Sequence, residues 1–404
     1  MAGPQPNSEE LIRLTDRHIA PNYAPLPVVL TRAEGVWAYD VEGRRYLDCI
    51  SAYSSLNQGH RHPKIIEALL AQAGRLTLTS RAVHNDRLGP FLERLTRLSG
   101  LEAALPMNTG AEAVETAIKL ARKWGYRRKG VPRDQARIVV CRNNFHGRTT
   151  TIVGFSTDAQ YRDDFGPYGP GFDIVDFDDA EALEAAIRPE TVAFLVEPVQ
   201  AEAGIVVPRR GYLTAAKRIC GDAGVLLMLD EIQTGLGRTG RLFAFQHDED
   251  AAPDVLILGK ALGGGVYPVS AVLASRELMD VFAPGDHGST FGGNPLAAAI
   301  ADAALAVIAE EALPQRADTM GRRLRNGIEA IATEKLAAIR GQGLLLGLEV
   351  DPAYGTARDL ALQLLERGVL SKDTHRQVLR IAPPLIIDET TVDWLIAQLS
   401  AVLS

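Results

Sequence analysis

Two side chains of opposite charge close two apolar runs of this sequence. VLLMLD ends in Asp230, and DVLILGK ends in Lys260, just before a turn built on Gly263, Gly264 and Gly265. Runs this rich in Val, Ile and Leu read as buried strands, and in open α/β sheets ligands collect at the carboxyl ends of strands. Taken singly, each charge is an ordinary solvated strand end. Taken together, they set an amine and a carboxylate on one rim. A lysine on the floor of a cleft is kept less protonated by desolvation and neighbouring cations, and a neutral amine condenses with an aldehyde.

Pyridoxal phosphate asks three things of a protein. It needs a lysine for its aldehyde, a carboxylate that keeps its pyridine nitrogen protonated, and an anion site for its phosphate. Lys260 and Asp230 suit the first two. The third is met by MNTGAEAVETAIKLARKWG, where Thr109 caps a helix that carries acids early (Glu112, Glu115) and bases late (Lys119, Arg122, Lys123). That order matches the helix dipole, and the free amides of Gly110 and Ala111 can bind a phosphate. A capped helix is commonplace by itself; beside the lysine and the carboxylate it becomes the third part of a set. Downstream of the strand ARIVVC, RNNFHGRT offers Phe145 to stack on a flat ring and Arg148 to hold a substrate carboxylate, against the plainer readings of a core aromatic and a surface arginine. LVEPVQAEAG ends a buried strand in Glu197, with Gln200 and Glu202 beyond it. VLRIAPP offers Arg380 ahead of two stiffening prolines, so an acid and a base from distant parts of the chain can pair across a cleft.

Other patterns are set aside. GLGRTG, Gly235 to Gly240, matches a dinucleotide fingerprint in letters, but it starts several residues after its strand and leads into RLFAFQ instead of a small-residue helix, so a nicotinamide or flavin site is not expected. The GKA at Gly259 to Ala261 lacks both the leading glycine and the final hydroxyl of a phosphate loop. His60, His62 and His146 have no third ligand at suitable spacing and read as turn residues, so no metal is expected. Lys+Arg number 43 against 50 Asp+Glu, a net charge of -7, which provides no basic field for nucleic acid or an anionic membrane. Cys49, Cys141 and Cys220 lie far apart and suit a reducing compartment. With no apolar leader and with acids at Glu9, Glu10 and Asp16, the chain reads as cytoplasmic, and no stretch reads as a membrane span.

These residues need a scaffold that brings strand ends together. From about residue 100 to 275, helical patterns alternate with short apolar runs, which predicts an open α/β domain on a mostly parallel sheet. After GGNPLAAAIADAALAVIAEEAL, long helices flank IRGQGLLLGLEV and VLRIAPPLII, which predicts a smaller α+β domain. The strand-like pieces before Asp48 are too short to fold alone. The division expected is residues 1–58 as a segment joining the small domain, 59–295 as the large cofactor-binding domain, and 296–404 as the small domain.

The set NTGAEAVETAIKLARKWG, NFHGRT, LVEPVQAEAG, DEIQTGLGRTG, LGKAL and HGSTFGGNP resembles, in order and along nearly the whole chain, the class III pyridoxal-phosphate aminotransferases. NYAPLP, SAYSSLNQGHRHPKI and DVLILGKALGGGVYPVSAVL are similar to the branch of that class that acts on ornithine. The resemblance implies a large domain of the aspartate-aminotransferase kind (fold type I) and a homodimer with shared active sites, alone or within a larger assembly. It implies that Lys260 bonds the cofactor and shuttles the proton, Asp230 pairs with the pyridine nitrogen, Gln233 meets the phenolic oxygen, and Phe145 stacks on the ring. Gly110 and Ala111 would hold the phosphate, joined by Thr290 from the neighbouring subunit. On the substrate side it implies Arg148 for ornithine's α-carboxylate, Tyr23 for its α-amine, Tyr53 in the pocket wall, and Glu202 neutralising Arg380 until 2-oxoglutarate takes its place. Acetylornithine, lysine or 4-aminobutyrate are the alternative donors on the same scaffold. A silent cofactor-binding interaction protein and a nicotinamide dehydrogenase are the rivals of other classes. Two positions depart from the pattern: Ala201 stands where glycine is usual, and His146 where some ornithine enzymes carry tryptophan.

Overall fold

The computed structural model describes residues 6–404. Its strands are β1 (Leu30–Glu34), β2 (Trp37–Asp40), β3 (Arg45–Asp48), β4 (Ala103–Met107), β5 (Arg137–Cys141), β6 (Phe172–Val175), β7 (Thr191–Val196), β8 (Leu226–Asp230), β9 (Val255–Leu258), β10 (Ser270–Ala274), β11 (Leu336–Gln342), β12 (Leu345–Val350), β13 (Val369–Leu370), β14 (Lys372–Thr374) and β15 (Val378–Ile381). A seven-stranded sheet in the order β4-β10-β9-β8-β7-β5-β6 forms the centre. Every pairing in it is parallel except those of β10, which runs antiparallel to β4 and β9. The mostly parallel sheet expected from the apolar runs is therefore present. Its middle strands β7, β8, β9 and β10 are buried at every residue, which is why they read as unbroken apolar runs and not as alternating ones.

Helices cover both faces of this sheet, as parallel crossovers require. Helix Gly110–Trp124 buries Ala113, Val114, Ala117, Ile118, Leu120 and Ala121 with the sheet, and helix Tyr212–Asp222 packs on the other core. Two further four-stranded sheets, β1-β2-β3-β13 and β11-β12-β15-β14, lie beyond it. In the first, β13 pairs in parallel with β3, so a strand from residue 369 onward completes a sheet begun before residue 50. No helix among the described residues is long and apolar enough to cross a membrane.

Candidate active site

The carboxyl ends of the central strands open onto a cleft lined by Gly110, Ala111, Phe145, His146, Glu197, Asp230, Gln233 and Lys260 among others. Asp230 is the last residue of β8, and Lys260 begins the turn that follows β9. Lys260 sits at φ +45°, a conformation disfavoured for a side-chain-bearing residue, and its flanking turn places Gly264 and Gly265 at +60° and +70°. A side chain at Gly265 would bring its Cβ to 2.3 Å from Leu56, so a glycine fits this close approach. Lys260 and Asp230 form no ion pair with each other, and space lies between them in the same cleft. Burial lowers the Lys260 pKa from its ordinary value, against the opposing pull of Glu202 and Asp230.

Asp230 is 5% exposed and held at both oxygens. His146 Nδ1 lies 2.7 Å from Oδ2, and the main-chain N–H of Ile232 donates to Oδ1 at 3.1 Å. His146 therefore corrects the reading of that residue as part of a turn: it is buried, its Nδ1 faces the carboxylate, and its Nε2 meets no partner among the described residues. The partner lies 84 residues away in sequence, and no local pattern marks it. No cluster of three metal-binding side chains occurs among the described residues.

The helix start expected at Thr109 forms as a capping box. Thr109 Oγ1 accepts from the Glu112 N–H at 3.2 Å, and the Glu112 carboxylate accepts from the N–H groups of Thr109 (2.7 Å) and Asn108 (3.2 Å). Among the described residues no acceptor meets the N–H of Gly110 or Ala111, and both residues line the cleft. Phe145 also lines the cleft, its N–H donating to Glu197 Oε2 at 3.0 Å. Burial, with Asp230 adding to it, raises the Glu197 pKa well above the carboxylate range.

Glu202 and Arg380 meet as the sequence suggests. Arg380 Nη2 donates to Glu202 Oε1 at 2.9 Å and to the Ala201 carbonyl at 3.2 Å, while Nη1 donates to Gln233 Oε1 at 3.0 Å. Gln233 Nε2 donates back to Glu202 Oε1 at 3.1 Å, closing a triangle. Gln233, expected at the cofactor's phenolic oxygen, thus also joins the acid to the base. Although burial pushes the Glu202 carboxyl up, Arg380 and Lys260 hold it below its ordinary value. The Arg380 guanidinium lies 5.4 Å from the Tyr53 ring centre. Tyr53 lies in a left-handed run from Ser51 to Ser54, with φ between 48°, 43°, 59° and 70° in turn. Asp48 Oδ1 anchors that run by accepting from the N–H groups of Ile50 and Ser51.

Arg148 is exposed at the rim, its guanidinium 4.3 Å from the ring centre of Tyr161 and 5.8 Å from that of Phe145. Tyr161 is a neighbour that the sequence reading missed, and nothing in STDAQYR signals it. Tyr23, 65% exposed, and Thr290, also exposed, lie outside the lining of this chain's cleft.

A family profile described as aminotransferase class-III matches residues 18–403. An ornithine aminotransferase from Bordetella pertussis is 53% identical over 401 residues, 99% of this chain and 97% of the relative. The solved structure of the ornithine aminotransferase from Toxoplasma gondii, which has pyridoxal phosphate at partial occupancy in its active site, superposes with a TM-score of 0.97 at 44% identity, covering 98% of this chain and 94% of that one. An acetylornithine aminotransferase from Elizabethkingia anophelis superposes with a TM-score of 0.89 at 46% identity, covering 99% of both chains.

Proposed function

This chain belongs to the class-III aminotransferases, and from that membership we propose that it transfers the δ-amino group of L-ornithine to 2-oxoglutarate. The products are glutamate 5-semialdehyde, which closes to pyrroline-5-carboxylate, and L-glutamate. The residues fit pyridoxal phosphate: an unpaired amine and a carboxylate share one cleft with two unsatisfied main-chain amides and an aromatic ring. When bound, that group supplies an aldehyde to take up the amine and a protonated ring to draw electrons from the bond being broken. Lys260 would hold it, with Asp230 at the pyridine nitrogen, Phe145 on the ring, Gln233 at the phenolic oxygen, and Gly110 and Ala111 at the phosphate.

His146 and the Ile232 amide each engage one oxygen of Asp230 and fix the plane of its carboxylate in the cleft wall. Lys260 Nζ is the base that takes the proton from the carbon bearing the transferred amine, a role that suits an amine whose pKa burial has lowered.

The observation that carries the donor assignment is the closed triangle of Arg380, Glu202 and Gln233. Ornithine must be held by its α-carboxylate yet present its far amine. With Nη1 and Nη2 of Arg380 engaged, the open guanidinium is Arg148, so the α-carboxylate is drawn to the rim with Tyr23 at the α-amine. 2-Oxoglutarate has two carboxylates, and one of them displaces Glu202 from Arg380 while Arg148 takes the other. Tyr53 walls the pocket beside Arg380.

The assembly we assign is a homodimer with shared sites, in which Thr290 reaches the neighbour's phosphate. Its support is the exposed apolar set Leu70, Leu76, Leu78, Val83 and Phe291. A cytoplasmic location agrees with three cysteines that are all buried and unpaired.

The test is one half-reaction: L-ornithine is added, without a keto acid, to protein loaded with pyridoxal phosphate. One equivalent of pyrroline-5-carboxylate per site is expected. Turnover of acetylornithine, lysine or 4-aminobutyrate in place of ornithine overturns the donor assignment and leaves the aminotransferase intact.

A further inference from the structure

Arg148 and Arg380 are held in different ways. Arg380 is 2% exposed, and its two terminal nitrogens donate to Glu202, Gln233 and the Ala201 carbonyl. Among the described residues no oxygen accepts from Arg148. Its guanidinium instead lies 4.3 Å from the ring centre of Tyr161, with Phe145 at 5.8 Å. The two rings meet edge to face, centroids 5.7 Å apart and planes at 72°, so they form an aromatic corner for the cation.

The kind of contact matters. A guanidinium has five N–H donors in a rigid fork. A carboxylate neighbour would fix its direction but occupy the donors that a substrate carboxylate needs. An aromatic face orients the plane through its quadrupole and takes none of them. Tyr161 stands on the short helix Ala159–Arg162, whose start is fixed by Asp158 accepting from the Gln160 N–H at 2.9 Å. Phe145 is fixed independently, through its N–H bond to Glu197.

We propose that Tyr161 is a positioning residue for substrate binding, holding Arg148 open and aimed at the cleft so that it receives the carboxylate of either substrate. The inference rests on the assignment of Arg148 as the carboxylate anchor. Because Arg148 serves ornithine and 2-oxoglutarate alike, loss of the ring weakens both. The stacking face, not the hydroxyl, does the holding, since the phenol oxygen makes no hydrogen bond among the described residues.

The experiment compares Tyr161→Leu, Tyr161→Phe, Arg148→Ala and the double variant Tyr161→Leu/Arg148→Ala as holoenzymes, reading KM and kcat for each substrate. Tyr161→Leu is expected to raise both KM values roughly tenfold with kcat little changed, and Tyr161→Phe to behave as the parent. Adding Tyr161→Leu to Arg148→Ala should raise KM no further, since the ring then has nothing to aim. If Arg148→Ala raises KM while Tyr161→Leu does not, the inference is overturned and the role of Arg148 stands. If Tyr161→Leu lowers kcat alone, or if its effect persists undiminished without Arg148, the ring acts elsewhere and the inference is likewise overturned. An Arg148→Ala variant with unchanged KM removes the anchor assignment and this inference with it.

Discussion

Glu202 joins two properties of the cleft that are measured separately. Its carboxylate occupies Arg380 and also raises the pKa of Lys260 against the larger, lowering effect of burial. Removing the charge in Glu202→Gln should act on both. With Arg380 less well neutralised, ornithine's α-carboxylate gains a second anchor deep in the cleft, and the α-amine comes within reach of the chemistry. Product analysis should show part of the ornithine converted at its α-position; product formed solely at the δ-position would sink the switch. The lysine gives the pH dependence. Its amine reacts when neutral, so the rate of pyridoxal phosphate uptake by the apoprotein should rise with pH through a midpoint below the ordinary lysine value of 10.5. Glu202→Gln withdraws an influence that raises that pKa, so the midpoint should move lower, as a pH series of uptake rates would reveal.

The loop after β8 shows why a glycine pattern is a poor guide to a site without its setting. GLGRTG forms an internal tie of the chain. It delivers Arg238, fully buried, to the carbonyls of Leu344 (2.9 Å) and Pro383 (2.6 Å) and to Asn57 Oδ1 (2.6 Å from Nη2). One side chain thus ties the loop to the N-terminal segment, to the residue before β12 and to the turn after β15, the strand that carries Arg380. Gly237 and Gly240, at φ +99° and +95°, give this loop its path. At the head of the same loop, Glu231 accepts from the N–H groups of Ala244 (2.7 Å) and Phe245 (2.9 Å). Burial nevertheless lifts its pKa from 4.5 to about 7. A carboxyl whose pKa is higher in the folded state contributes stability that is full below pH 4.5 and is lost as pH rises through about 7. That contribution is worth about 3 kcal/mol across the window. Denaturant unfolding from pH 4.5 to 8 should show this slope in the parent chain and lose it in Glu231→Gln; an unchanged slope would remove Glu231 as its cause. Neither Arg238 nor Glu231 was legible beforehand, because partners up to 181 residues away decide what they do.

At the scale of the molecule, the parts legible in the sequence were those whose cause is local. Strands buried on both faces must be continuously apolar, so β5, β7, β8 and β9 stand out, and their ends disclose Asp230 and Lys260. The helix at Thr109 declares itself through its cap and charge order. His146 and Tyr161 act through side chains brought together by the whole fold, and so left no trace in spacing. The resemblance pointed further, to an assembly, and the surface gives that assembly a physical test. Leu76, Leu78 and Val83 are exposed in one stretch, and Asn85 Nδ2 donates to the Gly293 carbonyl at 3.4 Å, which sets that stretch beside the loop holding Thr290 and the exposed Phe291. The same loop is bound to the residues just before helix Gly110–Trp124 through Asn108 Nδ2, which donates to Ser289 Oγ at 2.7 Å. In the homodimer proposed above, this apolar surface beside the cleft is what a second copy would cover. Val83 is 58% exposed, so Val83→Glu costs the single chain little and opposes only the association. Sedimentation equilibrium should find the parent at twice the chain mass and the variant shifted towards the single chain, with its circular dichroism unchanged. Because Thr290 is assigned to the neighbour's site, the variant should also release pyridoxal phosphate faster. A variant that separates into single chains yet keeps the cofactor as firmly as the parent would show that each site is complete within one chain.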